Sequence, residues 1–148
     1  MSKARLLDKV YFVPVRRSPF KSKGPEAPAQ DRLAMLKAAL KGKPYLKISD
    51  CELRRPSPSY TIQTVRYFRK KFPKAQFFLL MGQDAMRHFG KWKNAREIRT
   101  ECGLLSHKRF SGISSSAIRA RVRAGKSLKG LVAKSVEAYI RRKGLYQA

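Results

Sequence analysis

A short, unbroken run of apolar side chains near the middle of the sequence limits the folds open to this chain. Residues Phe77 to Met81 are all apolar and lead directly into Gly82-Gln83-Asp84. Such a run, ended by a turn-forming glycine, is typical of a strand buried on both faces of a parallel sheet. It is far too short to cross a bilayer. The run predicts a buried strand over residues 76–81.

Similar strand patterns alternate with helical patterns along the chain. Strands are expected at 10–13, 45–48 and, weakly, 103–105, and helices at about 30–40, 61–71, 85–89, 94–100, 114–124 and in a last segment capped by Gly144. Leu33, Leu36 and Leu40 mark the apolar face of the first helix. This alternation predicts an α/β fold with a mostly parallel sheet, in which ligands bind at the carboxyl ends of the strands.

We expect one domain over residues 1–148, with a basic lead at 1–8 and a C-terminal helical part at 113–148. Two cysteines, Cys51 and Cys102, stand far apart without metal-ligand spacing, so they predict neither a disulfide framework nor a zinc site. This cysteine usage favours a reducing compartment. We expect a cytoplasmic location associated with ribosomes, and an organellar matrix stays open.

The charge of the chain is its most unusual quantity. There are 35 Lys and Arg residues against 9 Asp and Glu, a net charge of +26 in 148 residues. Such a charge repels itself unless a polyanion neutralises it, and RNA suits a folded, non-repetitive domain. A membrane surface fits less well, because no long basic amphipathic helix carries large apolar anchors.

Three groups of basic residues are candidate contacts to RNA phosphates, and Phe20, Tyr60 and Trp92 are candidates for stacking on an unpaired base. The basic candidates are Arg16, Arg17, Lys21 and Lys23; Arg54, Arg55, Arg66, Arg69, Lys70 and Lys71; and Arg119, Arg121, Arg123, Lys126 and Lys129.

A hydroxyl-rich turn precedes the fifth predicted helix. Ile113 is followed by Ser114, Ser115 and Ser116, and Arg119 stands one turn later. Free backbone N–H groups, hydroxyls and the helix dipole would converge there, which suits a phosphate. An ordinary serine N-cap without a ligand is the alternative.

Several motifs, in order along nearly the whole chain, resemble those of the bacterial nicotinate-nucleotide adenylyltransferases, members of the HxGH nucleotidyltransferase superfamily. The matching residues are Leu7 to Pro14, Ser18 to Ser22, Asp31 to Leu36, Ile48 to Thr64, Met81 to Ala85, Lys91-Trp92, Ile113 to Arg119 and Ala138 to Tyr146. The resemblance implies a Rossmann-like fold and a reaction that joins ATP and nicotinate mononucleotide with release of pyrophosphate.

The resemblance also implies roles for particular residues. Ser114, Ser115, Ser116 and Arg119 match the motif that binds ATP phosphates, and Gly82 and Asp84 match the nucleotide-binding turn. Tyr60, Thr61 and Trp92 match positions near the nicotinate pocket. Each could also serve the fold alone, as core aromatics, a tight turn or a cap.

Departures from the family pattern lead to competing hypotheses. The opening strand with its His-x-Gly-His signature has no counterpart, Phe20 replaces a loop histidine, and a segment is missing between Lys108 and Ile113. His88 and His107 do not restore the signature. We therefore expect an incomplete Rossmann-like sheet without its first strand, which would close across the gap or be covered by a partner.

The first hypothesis is an inactive, repurposed relative that binds RNA, such as a ribosomal or other ribonucleoprotein component, with no catalytic residues, no metal and no cofactor. Its partners would be ribosomal RNA and neighbouring proteins that cover the sheet. The second is an adenylyltransferase that uses ATP with Mg²⁺ and whose opening segment either is missing from this sequence or is supplied separately. A third is a nucleotide-binding regulator without catalysis.

Overall fold

The computed structural model describes residues 7–108 and 113–147, and all structural statements refer to them. The strands are β1 (Val10–Phe12), β2 (Leu46–Ile48), β3 (Phe78–Gly82) and β4 (Gly103–His107). The helices are α1 (Ala29–Leu40), α2 (Thr61–Lys71), α3 (Gln83–Arg87), α4 (Ala95–Glu101), α5 (Ser115–Arg123) and α6 (Lys134–Lys143), with a 3₁₀ turn at Phe89–Lys91. Most of the predicted basic lead lies outside the described residues.

Parallel strand pairing confirms the predicted α/β class. β1 pairs with β2 and β3 pairs with β4, both in parallel, but the two pairs form separate two-stranded sheets. The sheet therefore does not close across the expected gap. β4 is longer than its weak pattern suggested, because all five residues from Gly103 to His107 pair in register with β3.

A first core packs around β3, between α2 and α4. Its buried residues are Ile62, Met81, Phe89, Ile98 and Cys102. Ile98 is fully buried, and the Cys102 thiol contacts its carbonyl oxygen at 3.1 Å. Burial raises the pKa of the Cys102 thiol, which keeps it protonated at neutral pH. This core holds the β3–β4 pair against its helices.

A second core joins α1 to the C-terminal helices. Leu128, Val136 and Ile140 are buried there, and Met35 and Ala38 of α1 pack against them. Leu33, Leu36 and Leu40, the predicted apolar face of α1, are half-buried. α1 is shared between two neighbours, since it packs on both β2 and α6.

The last helix, α6, ends at the glycine that the sequence predicted as its cap. Gly144 ends the helix at φ 60°, a left-handed conformation in which glycine carries no Cβ penalty. Within 7–108 and 113–147, no helix is long and apolar enough to cross a membrane. The single-domain organisation stays a prediction.

Candidate functional site

A cleft of about 1200 Å³ separates β1 from β3. Aromatic contacts show that the two strands run the same way. Tyr11 of β1 and Phe77 before β3 both meet Phe68 of α2, with ring centroids 4.9 and 6.5 Å away. Phe20, beyond the end of β1, lies 6.2 Å from Trp92, beyond the end of β3. The carboxyl ends of both strands therefore open on one region, as parallel sheets require of a ligand site.

Aromatic and basic side chains surround this end of the cleft. Trp92 contacts Phe89 at 5.4 Å and faces Phe20, whose side chain is 62% exposed. The ammonium of Lys93 lies 4.4 Å from the centre of the Tyr60 ring. Thr61, the first residue of α2, also lines the cleft. Such a set can stack on a flat ring and attract a negative charge.

The loop between β1 and α1 is fixed by main-chain and arginine contacts. Ser59 donates its N–H to the carbonyl of Arg17 at 2.8 Å, and its hydroxyl accepts from the N–H of Arg16. The Arg32 guanidinium donates to the carbonyls of Val15 and Ala27. Partial burial lowers the pKa of Arg32, but an arginine stays charged in any accessible pH range. These bonds anchor the loop on both sides of Phe20.

The serine motif forms the predicted cap. Ser114 precedes α5, and its hydroxyl oxygen accepts from the N–H of Ala117 at 3.1 Å. Ser115 and Ser116 are exposed, while Arg119 is half-buried. The Nε atom of Arg119 lies 2.7 Å from a carboxylate oxygen of Glu26, and Arg123 pairs with the other oxygen. Both hydroxyls are exposed, and that of Ser116 accepts from the Arg119 guanidinium at 3.5 Å, but Arg119 already has an anionic partner in Glu26.

Gly82 and Asp84 lie at the junction of β3 and α3. Gly82 ends the strand with open space around the position of a Cβ, so a ligand can approach its backbone. Asp84, in the first turn of α3, accepts from Arg87 at 2.9 Å. The aromatic end of the cleft brings together Tyr60, Thr61 and Trp92, but Gly82, Asp84 and the serine motif do not line it.

Many of the predicted RNA contacts are occupied by the protein itself. Guanidinium groups donate to backbone carbonyls or pair with carboxylates, because the loops of this chain carry carbonyl oxygens that would otherwise lack donors. The carbonyl-bound residues are Arg16, Arg17, Arg55 and Arg121, and the carboxylate-bound residues are Arg54, Arg66, Arg69, Arg119 and Arg123. The exposed lysines of the prediction are Lys21, Lys23, Lys70, Lys71, Lys126 and Lys129.

Two residues of the site were missed by sequence reasoning. Glu26 holds both arginines of α5 from a distance of more than ninety positions along the chain, and no local pattern announces such a pair. Lys93 faces Tyr60 across the cleft, although its place beside Trp92 in the sequence was a usable signal. His88 and His107 are exposed, and the described part of the chain contains no cluster of three potential metal ligands.

Comparison with known proteins defines the class first. Residues 2–121 match the family described as cytidylyltransferase-like. A structure from Vibrio parahaemolyticus, described as a nicotinate-nucleotide adenylyltransferase, superposes with a TM-score of 0.78 at 21% identity, over 95% of this chain and 79% of that one. The α/β architecture described above is thus the Rossmann-like nucleotidyltransferase fold.

Closer relatives specify the family. Proteins from Halalkalibacterium halodurans and Thermus thermophilus, named as nicotinate-nucleotide adenylyltransferases, are 37% and 35% identical over 95% of this chain. The matches cover 78% and 84% of those relatives. This chain belongs to the nicotinate-nucleotide adenylyltransferase family.

Family membership overturns the first hypothesis. An inactive RNA-binding protein with a ribosomal role is wrong, since the relatives and structural neighbours are consistently named for adenylyltransfer. The expectation of no cofactor is wrong as well: Plasmodium falciparum nicotinic acid mononucleotide adenylyltransferase has been solved complexed with NaAD and with APC, at TM-scores of 0.72 and 0.67. The expected ribosome association depended on the same hypothesis and has no support. A partner that covers the sheet stays a prediction.

Proposed function

We propose that this protein acts in nicotinate-nucleotide adenylyltransfer. In this reaction a phosphate oxygen of nicotinate mononucleotide forms a bond to the α-phosphorus of ATP, the bond to the β-phosphate breaks, and pyrophosphate leaves. The observation that carries the proposal is the 37% identity to a relative with this name, spread over 95% of the chain. A reducing, cytoplasmic setting stays a prediction.

The aromatic end of the cleft is the proposed site for the nicotinate half of the substrate. Trp92 and Tyr60 offer ring faces for a pyridine, and Lys93 supplies a positive charge beside them. Thr61 adds a hydroxyl at the start of α2. A flat, negatively charged ring is matched by flat side chains and a cation.

The turn before α5 is the proposed site for the ATP phosphates. Ser115 and Ser116 are exposed at the amino end of a nine-residue helix, and Arg119 lies one turn away. Hydroxyls, N–H groups and the helix dipole stabilise the phosphate charge. Gly82 leaves backbone space beside β3 for the nucleotide. Mg²⁺ would enter with the phosphates of ATP.

Trp92 provides a direct test, because it is the only tryptophan of the chain. Nicotinate mononucleotide should quench its fluorescence in a saturable way, and Lys93→Met should weaken that binding by about tenfold, the usual scale for one charged contact. Lys108→Met is a matched control, since Lys108 is exposed and does not line the cleft. Equal binding by both variants would contradict the proposed nicotinate site.

Turnover is measured separately from binding. With ATP and nicotinate mononucleotide, chromatography should detect the dinucleotide and equal pyrophosphate. Ser115→Ala with Ser116→Ala should reduce ATP binding and leave quenching by nicotinate mononucleotide unchanged. If both nucleotides bind and no dinucleotide forms, catalysis by these 148 residues is refuted, and the nucleotide-binding regulator becomes the better hypothesis.

A further inference from the structure

A second cavity lies between the carboxyl ends of α5 and α6, beside the second core. Its volume is about 310 Å³, at the lower end of the range of about 300–1,000 Å³ that is typical of small-ligand sites. None of its lining residues lines the cleft between β1 and β3, and the serine motif lies at the opposite end of α5. The cavity is therefore separate from both halves of the proposed active site.

The most buried residues of the cavity lining are aliphatic. Leu128 and Ile140, which are 1% and 2% exposed, belong to the second core, and Val122 packs against that core. Among the described residues no aromatic side chain lines the cavity. The apolar part of a ligand is thus bound by aliphatic contacts and not by ring stacking, and the removal of its surface from water favours binding.

The other side chains of the lining are basic or neutral polar. Arg123 and Arg141 both line the cavity, and Gln147 lines it with them. The carboxylate partners of the two arginines, Glu26 and Glu137, do not line it, and neither does any other carboxylate that the structure describes. A cavity with two guanidinium groups and no carboxylate in its lining attracts an anion.

Arg141 is held in place and still has donors to offer. Its Nε and Nη2 atoms donate to one oxygen of Glu137 at 3.2 and 2.8 Å, and Nη2 also donates to the carbonyl of Lys126 at 3.4 Å. Its Nη1 atom makes no hydrogen bond to any residue in 7–108 or 113–147. The same oxygen of Glu137 accepts from the N–H of Leu128 at 3.1 Å. The two N–H groups of Nη1 are therefore available on a guanidinium whose orientation is already set.

Gln147 adds amide donors to the lining. Its side chain folds back towards the end of α6, where its Oε1 atom lies 3.5 Å from the position that a Cβ would take at Gly144. An amide carries two N–H groups. The donors of Arg141 and Gln147 suffice for the two oxygens of a carboxylate, whereas a phosphate, with three oxygens and a higher charge, needs more of them.

We propose that this cavity binds a small aliphatic carboxylate. The carboxylate accepts from Nη1 of Arg141 and from the amide of Gln147, and the charge of Arg123 adds to the attraction. The aliphatic body lies on Leu128 and Ile140. This inference is independent of the proposed adenylyltransfer, because the two sites share no residue.

An NMR titration of the 148-residue chain with cyclohexanecarboxylate tests the inference. In 0.15 M NaCl the general attraction of the basic surface is screened beyond about 8 Å. The methyl signals of Val122, Leu128 and Ile140 should shift in a saturable way, while that of Leu104 in the first core should not. Absence of a saturable shift at the three cavity residues would overturn the proposal.

Two further probes separate the contribution of charge from that of apolar contact. Cyclohexanecarboxamide keeps the shape of the first probe and loses its charge, whereas acetate keeps the charge and loses the aliphatic ring. Each should bind at least about tenfold more weakly than cyclohexanecarboxylate. Equal affinity for either of them would contradict a site that recognises both parts of the ligand.

Variants of the lining locate the carboxylate. Arg141→Met should weaken binding of cyclohexanecarboxylate at least about tenfold, whereas Arg142→Met, at a position that does not line the cavity, should not. Because Arg141 also bonds to Glu137, Gln147→Glu is a second variant: the position is exposed, and the new negative charge should repel the probe and weaken its binding several-fold. Unchanged affinity in Gln147→Glu, or equal losses in the two arginine variants, would refute the assigned contacts.

Discussion

At the scale of single residues, neighbouring serines have different tasks. Ser114 caps α5 through Ala117, while the hydroxyls of Ser115 and Ser116 are exposed. The sequence predicted the turn and left open whether it was a cap or a phosphate site. In the structure Ser114 is the N-cap, and Ser115 and Ser116 are exposed where we propose the phosphate contact.

Replacing the capping serine should cost stability. Ser114→Ala removes the acceptor of an otherwise orphaned N–H and should lower the free energy of unfolding by about 0.5–2 kcal/mol. Ser115→Ala should change it by no more than about 0.5 kcal/mol, because its hydroxyl is exposed. Urea unfolding of the two variants makes the comparison. Equal losses would show that Ser114 is not the cap.

The first core depends on one fully buried side chain. Ile98 is 0% exposed, so Ile98→Ala should leave a cavity and lower the free energy of unfolding by about 2–5 kcal/mol. Ile113→Ala, at a position that is 42% exposed, is the control and should cost far less. The measurement is the midpoint of denaturant unfolding for each variant, compared at the same dependence of the free energy of unfolding on denaturant concentration. A small loss at Ile98 would mean that this core repacks easily.

At the scale of elements, periodicity found the helices and missed their ion pairs. The range of α2 follows from Ile62, Val65 and Phe68 on one face, and the structure has the same bounds. Nothing in the sequence connected Arg66 with Glu97 or Arg69 with Glu101, which join α2 to α4. Those pairs depend on how the helices cross, which the spacing of apolar residues along one helix does not specify.

The amino end of α6 should be sensitive to acid. Hydrogen bonds from Arg141 and, next, from the N–H of Leu128 lower the pKa of Glu137 in the folded protein. The pKa of a glutamate in the unfolded chain is about 4.3. The contribution of Glu137 to the free energy of unfolding is therefore fully present above that pH, and it is lost as the pH falls through the lower pKa of the folded state. Glu137→Gln should therefore be less stable than the parent at pH 7.

Thermal unfolding of both proteins between pH 7 and pH 3 measures this difference. The two midpoints should approach each other as the pH falls below about 4 and towards the lowered folded pKa of Glu137, because the carboxylate of the parent protein is progressively protonated over that range. A difference that stays constant over this range would mean that the carboxylate charge is not responsible.

At the scale of the whole molecule, charge and sheet architecture were predictable to different degrees. Composition gives the net charge of +26 directly, but the RNA-binding function predicted from it was wrong. A count of arginines does not distinguish those that bind carbonyls and carboxylates of their own chain from those that would bind RNA. The apolar patterns of the four strands predicted their parallel pairing. The separation of the pairs β1–β2 and β3–β4 into two sheets depends on long-range packing, which the pattern within a single short strand does not specify.

The excess charge should make stability rise with salt. Repulsion among the basic residues acts over about 30 Å at 0.01 M salt and about 10 Å at 0.1 M, so the unfolding temperature should increase over this range of NaCl. Choline chloride at equal ionic strength should act alike. A fall in the unfolding temperature would mean that attractive pairs such as Arg66–Glu97 outweigh the repulsion.

At the serine motif, the Glu26 carboxylate would compete with a phosphate for Arg119 and Arg123. One carboxylate pairs with both Arg119 and Arg123, so a phosphate that binds at the proposed site would have to displace a group that is tethered nearby and present at high effective concentration. Removing that resident anion by Glu26→Gln should tighten pyrophosphate binding measured by calorimetry, while the loop it anchors loses a contact. The guanidinium groups of Arg119 and Arg123 would then either bind the ligand or hold the loop that carries Glu26, and a gain in one would reduce the other.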